Sequence, residues 1–286
     1  MGKSDNGRRA MVTGATRGIG KATALALARS GWDVAISGRT VREGDGRDTS
    51  DTGGGRALPG SLEATAASIR ELGRRALPLV ADLRDLDSVG AAAATAAEEW
   101  GGIDLVVNNA VDTGPGSMVS VVELTLEQLR AKLMANVVAQ MATIKQLLPG
   151  MLERGRGTIV DVSSHVAVAD PPGPVGEGGW GLGYAASKAA FHRFAPLLAI
   201  ELGAQGIRAY NVDPGYVETE RQQANAAALG LADRYRGAPP SVPAAAIAWL
   251  VDHPDTVDNG GTVRAQKVAL DLGLHPDWRE RSEPPA

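Results

Sequence analysis

The sequence predicts an α/β fold, a doubly wound parallel sheet built as a single domain over residues 1–286. Three observations predict it. Short apolar runs, many of them β-branched, alternate along the chain with stretches of helical spacing. The apolar runs end in Gly, Asn, Asp or Ser, which gathers polar groups at one end of the strands. The first run leads straight into a glycine-rich turn that opens a helix.

In chain order the predicted strands are AMVTG from Ala10, DVAISG from Asp33, ALPLVAD from Ala76 and IDLVVNNA from Ile103. They continue with GTIVDVSS from Gly157, IRAYNVDPG from Ile207 and KVALDLG from Lys267. Each is too short and too uniformly apolar for a surface strand, as expected of buried parallel strands. The predicted helices between them are KATALALARSG, TAASIRELG, LDSVGAAAATAAEEWG, the long run from Leu124 to Gly155, and the run from Tyr184 to Gly206. Most stop at glycine, a common helix C-terminal signal.

Several segments fall outside this rhythm. Residues 41–60 form a polar, Gly-rich insertion that reads as mobile, and residues 165–183 form a long Pro/Gly loop next to a candidate active site. Residues 218–240 read as a substrate lid, and residues 276–286 as a polar tail.

Composition excludes several classes of function. A net charge of −4, without a long block of basic residues, argues against a nucleic-acid surface. The absence of cysteine excludes disulfides, thiol nucleophiles and thiolate metal sites. The four histidines form no paired-ligand spacing, so no metal is expected. No apolar run approaches the roughly 20 residues of a membrane span, and the chain reads as soluble and cytoplasmic.

The stretch TGATRGIG carries the first chemistry. A glycine turn after a strand, opening a helix, aims backbone N–H groups and the helix dipole at a pyrophosphate. Gly14 permits the tight turn, Gly18 a close approach and Gly20 the packing of helix on strand. At the end of the second strand, Gly38 stands where an acidic residue would bind the ribose 2′-hydroxyl of NAD(H), and Arg39 follows. With Arg17 in the turn, two guanidinium groups favour the 2′-phosphate of NADP(H), although solvated surface arginines would read the same.

GLGYAASKAA places Tyr184 and Lys188 one helical turn apart. Taken with the preceding motifs, the chain resembles the short-chain dehydrogenase/reductase family, in its single-domain branch with a TGxxxGIG turn and a YxxxK pair. The resemblance runs from about residue 10 to 220, with the motifs in family order. It implies a Rossmann fold and a nicotinamide site that includes Gly14, Thr16, Arg17, Gly18, Ile19, Gly20 and Arg39. Asp82 matches the acid at the adenine, and NNAV supplies Asn108 and Ala110. DPGYVET supplies Pro214, Gly215, Val217 and Thr219 at the nicotinamide amide, with Tyr184 and Lys188 completing the cofactor contacts. The catalytic residues implied are Asn136, Ser164, Tyr184 and Lys188. Two departures stand out. Val111 replaces the last glycine of NNAG, and the Ser164–Tyr184 separation is about seven residues longer than in compact family members.

Carbonyl reduction needs a hydride donor, a proton donor and a polar grip on the oxygen. Tyr184 can give the proton, and the positive charge of Lys188 would draw the phenol down from its reference value of about 10. Ser164 would hold the substrate oxygen, and Asn136 would anchor a water behind the lysine. His165 could touch substrate, or could simply face solvent, and Trp180 and Tyr216 could line the pocket or only pin their loops. The expected activity is an NADP(H)-dependent interconversion of a ketone or aldehyde and an alcohol. An NAD-dependent alcohol dehydrogenase and a non-catalytic nucleotide sensor are the alternatives. The resemblance also implies a homodimer or homotetramer acting on a small-molecule carbonyl or alcohol, while composition argues against a nucleic-acid or membrane partner.

Overall fold

The computed structural model describes residues 8–228 and 237–278, with only the backbone described for 225–228. Seven strands form one parallel sheet: β1 (Arg8–Thr13), β2 (Trp32–Gly38), β3 (Ala76–Val80), β4 (Leu105–Asn108), β5 (Gly157–Val162), β6 (Ile207–Asp213) and β7 (Thr262–Arg264). Their order is β3-β2-β1-β4-β5-β6-β7, so the direction of winding reverses between β1 and β4. A ligand cleft is expected outside the strand ends at that reversal.

Alternation along each strand sends neighbouring side chains to opposite faces. Val12, Val107 and Val160 therefore enter one core, with Leu27 of α1 (Gly18–Arg29) and Ile247 of α9 (Ser241–Asp252). Met11, Val106 and Ile159 enter the other, under α3 (Leu86–Trp100), α5 (Ala139–Glu153) and α7 (Phe194–Leu202). Each fully buried aliphatic side chain contributes about 1.5–3 kcal/mol, so these two cores drive the fold.

The predicted helix from 124 to 155 is continuous but irregular. α4 (Leu126–Leu133) starts at a capping box between Thr125 and Gln128, and a π-helical turn, Met134–Val138, joins it to α5. Asn136 sits in that turn. The predicted helix from 184 to 206 divides at Arg193 into α6 (Leu182–His192) and α7.

One element differs from expectation. KVALDLG is not a strand: α10 (Ala265–Asp271) occupies it, and the three-residue β7 just before it ends the sheet. Ala265 and Ala269, four apart, are both buried, and Gly273 follows the helix in the left-handed conformation at φ 62°. A short apolar run fits a strand and a buried helix turn equally well, and here tertiary packing decides. α9, rich in alanine, was not among the predicted helices; it packs beside α1.

The 41–60 insertion, expected to be mobile, is folded. Asp48 N–H donates to the Arg56 carbonyl at 2.7 Å and Leu58 N–H to the Gly46 carbonyl at 3.0 Å, around an antiparallel bridge between Arg47 and Ala57. α2 (Leu62–Glu71) follows, capped by the Ser61 hydroxyl. The 165–183 loop holds a short 3-10 turn at His165–Ala167 and a Val175–Gly179 bridge. In the expected lid, α8 (Glu220–Ala228) is formed, whereas residues 229–236 and the tail from 279 lie outside the described residues. Among the described residues no helix is long and apolar enough to cross a membrane, and no His/Asp/Glu group could hold a metal ion.

Candidate active site

A cleft of about 440 Å³ opens at the C-terminal ends of the strands, where the sheet order reverses. Its floor is the turn after β1. Gly14 takes φ 66°, and a Cβ there would approach the Ala110 Cα at 2.8 Å. Gly20, in the first turn of α1, sits against the Gly14 carbonyl, where any side chain would collide. Asn109 locks the turn by donating to the Thr13 and Gly14 carbonyls at 2.8 and 3.2 Å. The Thr13 hydroxyl accepts from the Asn109 and Ala110 N–H groups, both at 3.0 Å.

Most of the predicted cofactor residues line this cleft: Gly14, Thr16, Arg17, Gly18, Ile19, Arg39, Asp82, Ala110, Tyr184, Lys188, Pro214 and Thr219. Four stand outside its lining. Gly20 lies behind the turn, and Val217 is buried in a bridge to Ala238. Gly215 backs onto Gln266, whose amide holds the Pro214 and Tyr216 carbonyls. The Asn108 side chain points into the sheet and donates to Asp161 at 2.8 Å, so Asn109 is the asparagine of the pair that faces the cleft.

The two predicted phosphate-reading arginines are differently placed. Arg17 is engaged by the insertion, donating to the Pro59 and Gly60 carbonyls at 2.7 and 2.9 Å and to the Thr40 hydroxyl at 3.2 Å. Burial, and then the charge of Arg221, hold its pKa below the ordinary guanidinium range. Arg39 is half-exposed and faces Asp82 at 3.9 Å. The insertion adds Asp45, Arg47 and Thr49 to the wall, and α8 adds Arg221. Glu220 occupies the anion position at the helix start: its carboxylate accepts from the Gly18 N–H at 2.9 Å. An acid placed there shows that the end of α1 receives negative charge, as a pyrophosphate site must.

At the other end of the cleft, α6 presents Tyr184 and, one turn later, Lys188. The Ser164 hydroxyl lies close enough to the Tyr184 phenol to lower its pKa, so the lengthened 165–183 loop does not separate the pair. Burial raises the phenol above its ordinary value, the serine opposes it, and Asp213 adds to the rise. Lys188 is buried; its Nζ donates to the Val162 carbonyl at 2.8 Å and lies 5.1 Å from the Phe191 ring. Burial lowers its pKa to about 8, against the opposing charge of Asp161. The lysine is therefore directed at the strand end, and the expected downward pull on the phenol is not seen.

Asn136 accepts from the Asp112 N–H at 2.7 Å and donates to the Ser187 hydroxyl at 3.0 Å, tying the strand-β4 loop to α6 beside Lys188. His165 is exposed on its 3-10 turn.

Sequence reasoning missed a charged cluster below this site. Lys132 is fully buried, with Nζ 2.9 Å from the Asp112 carboxylate and 2.5 Å from the Gly114 carbonyl, and Arg84 approaches Asp112 at 3.0 Å. Burial pushes Asp112 up, but the Lys132 hydrogen bond and charge outweigh it and leave the carboxyl lowered. A lysine four residues before Asn136, on an apolar helix face, was the available signal. His192 was also unassigned: its Nδ1 meets the Ser163 hydroxyl at 2.8 Å, beneath the active-site strand end.

A family profile described as short chain dehydrogenase matches residues 56–229. The chain is 31% identical over 227 residues to the cyclohexanol dehydrogenase of a Rhodococcus species, covering 78% of this chain and 79% of that protein. Its fold superposes on L-sorbose reductase from Gluconobacter frateurii, complexed with NADPH and L-sorbose, with a TM-score of 0.75 and 26% identity over 90% of this chain and 94% of that one. It superposes about as well on a short chain dehydrogenase from Mycobacterium paratuberculosis bound to NAD, with a TM-score of 0.72 and 25% identity over 90% of this chain and 96% of that one. Fold, motif order and sequence agree, and the chain is an oxidoreductase belonging to the short-chain dehydrogenase family.

Proposed function

We propose that the protein interconverts a small ketone or aldehyde and its alcohol with NADP(H), using Tyr184 as general acid and base. The observation that carries this reading is that Tyr184 and Lys188 line one end of the cleft that begins at the glycine turn, with the Ser164 hydroxyl acting on the phenol. In this reading the cofactor lies along the cleft from Arg39 to Lys188 and supplies or takes the hydride. Ser164 holds the carbonyl oxygen, and Tyr184, a phenol that burial raises further above neutrality, gives its proton to the oxygen. The reverse direction runs through the same atoms. Asn136 and Ser187 fix α6 behind the pair.

NADP(H) is supported by the absence of an acid at Gly38 and by Arg39 and Arg47 on the cleft wall. NAD(H) is the second reading, and one observation favours it: Arg17 is already bonded to backbone carbonyls and Arg39 faces Asp82. Exposed Val122, Leu126 and Ile200, 94%, 80% and 80% accessible, support a homo-oligomer in solution.

Titration of the purified protein with NADPH and NADH, followed by nicotinamide fluorescence, tests the cofactor choice. Tighter NADPH binding, with turnover of carbonyls from a panel, is expected. Tighter NADH binding overturns NADP(H), and binding of neither overturns the enzymatic reading.

A further inference from the structure

Behind Lys188 the sheet carries a row of polar side chains that the reaction above does not use. Asn108 of β4, Asp161 of β5 and Asn211 of β6 are register partners across three central strands, and each is 0% exposed. Asn108 donates to one Asp161 oxygen at 2.8 Å, and Asn211 donates away from the row, to the His192 carbonyl, at 2.8 Å. One side-chain oxygen of each of the three has no partner among the described residues. A carboxylate in such a place costs far more than an asparagine or a valine would. The adjacent charge accounts for it: Lys188 binds the carbonyl of Val162, the next residue of the same strand, and Asp161 is the charged group acting on that lysine.

We propose that Asp161 is a positioning residue of this site: the buried carboxylate holds Lys188 in its charged form at the strand end beside the cleft. The effect of that charge on turnover rests on the function proposed above; the coupling of Asp161 to Lys188 does not.

The other groups nearby do not replace Asp161. On α6, Tyr184 carries no charge near neutrality, and His192 turns to Ser163 and Thr262. Asp213, at the end of β6, acts on Tyr184 and His192. The flanking strands contribute neutral amides. Burial raises Asp161 to about 7, with the Asn108 hydrogen bond and the Lys188 charge opposing it, while Lys188 stands at about 8. Both groups therefore change charge close to neutrality, and each change is felt by the other.

The sequence has six lysines, few enough for each to be followed by NMR after [13C]lysine labelling. The Lys188 Cε signal, assigned through Lys188→Arg, is titrated in the wild type and in Asp161→Asn, which keeps an acceptor for Asn108. The lysine midpoint is expected to fall by about one pH unit or more in the variant. The alkaline limb of the kcat/KM profile is expected to fall with it. An unmoved lysine midpoint in a folded variant overturns the proposal. A shifted midpoint in a protein that reduces no carbonyl upholds the Asp161–Lys188 coupling and sinks only the proposed reaction. If the variant does not fold, [13C]aspartate labelling of the wild type decides. One carboxyl titrating near neutrality supports the proposal, and all carboxyls titrating near their usual 4 overturn it.

Discussion

Burial raises the Tyr184 phenol further above neutrality, and the nearby Ser164 hydroxyl opposes that rise. Tyr184→Phe removes the transferable proton while leaving the ring in place. Turnover should drop about 10²–10⁴-fold, with cofactor affinity, read by fluorescence titration, nearly unchanged. Arg39 is a surface residue whose one described partner is Asp82 at 3.9 Å, so it can turn to a phosphate at little cost. Arg39→Asp should weaken NADPH roughly ten- to a hundredfold while changing NADH little, and equal loss of both would remove Arg39 from cofactor choice. Glu220 presents the opposite case. Its carboxylate already occupies the Gly18 N–H, so it competes with any incoming pyrophosphate. Glu220→Gln should tighten either cofactor by about two- to fivefold, and unaltered affinity in the same titration would show that the carboxylate moves aside at no cost.

At the scale of elements, the 41–60 hairpin joins the two ends of the cleft. Arg17 reaches its Pro59 and Gly60 carbonyls, and Asp48 faces Arg221 at 3.4 Å. At the other end, the Asp51 carboxylate accepts from the N–H groups of Gly116, Ser117 and Met118 at 2.9, 2.9 and 2.7 Å. That loop in turn abuts the start of α6: a side chain at Gly181 or Gly183 would strike the Ser117 or Gly116 carbonyl. Asp51→Ala should leave the fold intact but speed amide exchange at residues 116–118, read by hydrogen-exchange mass spectrometry. Unchanged exchange would mean that the hairpin only rests on the loop. The π-turn at Met134–Val138 is the other irregular element, and it aims Asn136 at α6 and the β4 loop together.

For the whole molecule, two sets of buried carboxyls pull stability in opposite directions with pH. Asp33, bonded to Arg75 at 2.6 Å and Arg74 at 2.8 Å, and Asp112, bonded to Lys132, have folded pKa values below the ordinary 3.8. Their contribution is present above that value and is lost as pH falls through the depressed one, so the melting temperature should drop in acid, less steeply in Asp112→Asn. Asp161 behaves oppositely. Its folded value of about 7 means that its contribution is present below 3.8 and is lost as pH rises through neutrality. At about 1.36 kcal/mol per pH unit, this is a change of no more than about 4 kcal/mol. The melting temperature of Asp161→Asn should therefore gain on the wild type between pH 5 and 8, and parallel curves would place Asp161 at an ordinary carboxyl value.

Much of this was legible in the sequence because it depends on local chemistry. Alternating apolar runs, the glycine turn and the Tyr184–Lys188 spacing follow from strand, turn and helix periodicities, and these determined the fold class and the residues at the two ends of the cleft. The tertiary structure alone decided what depends on distant partners. Periodicity could not separate strand from helix at Lys267, because burial of Ala265 and Ala269 made that choice. It could not say which asparagine of NNAV faces the cleft, because a one-residue step along a strand reverses the side chain and register with Asp161 fixes it. Nor could it find the Asp112–Lys132 pair, the hairpin over the cleft or the Asp161 row, since each joins residues 20 or more apart in the chain, which only folding brings within hydrogen-bonding range.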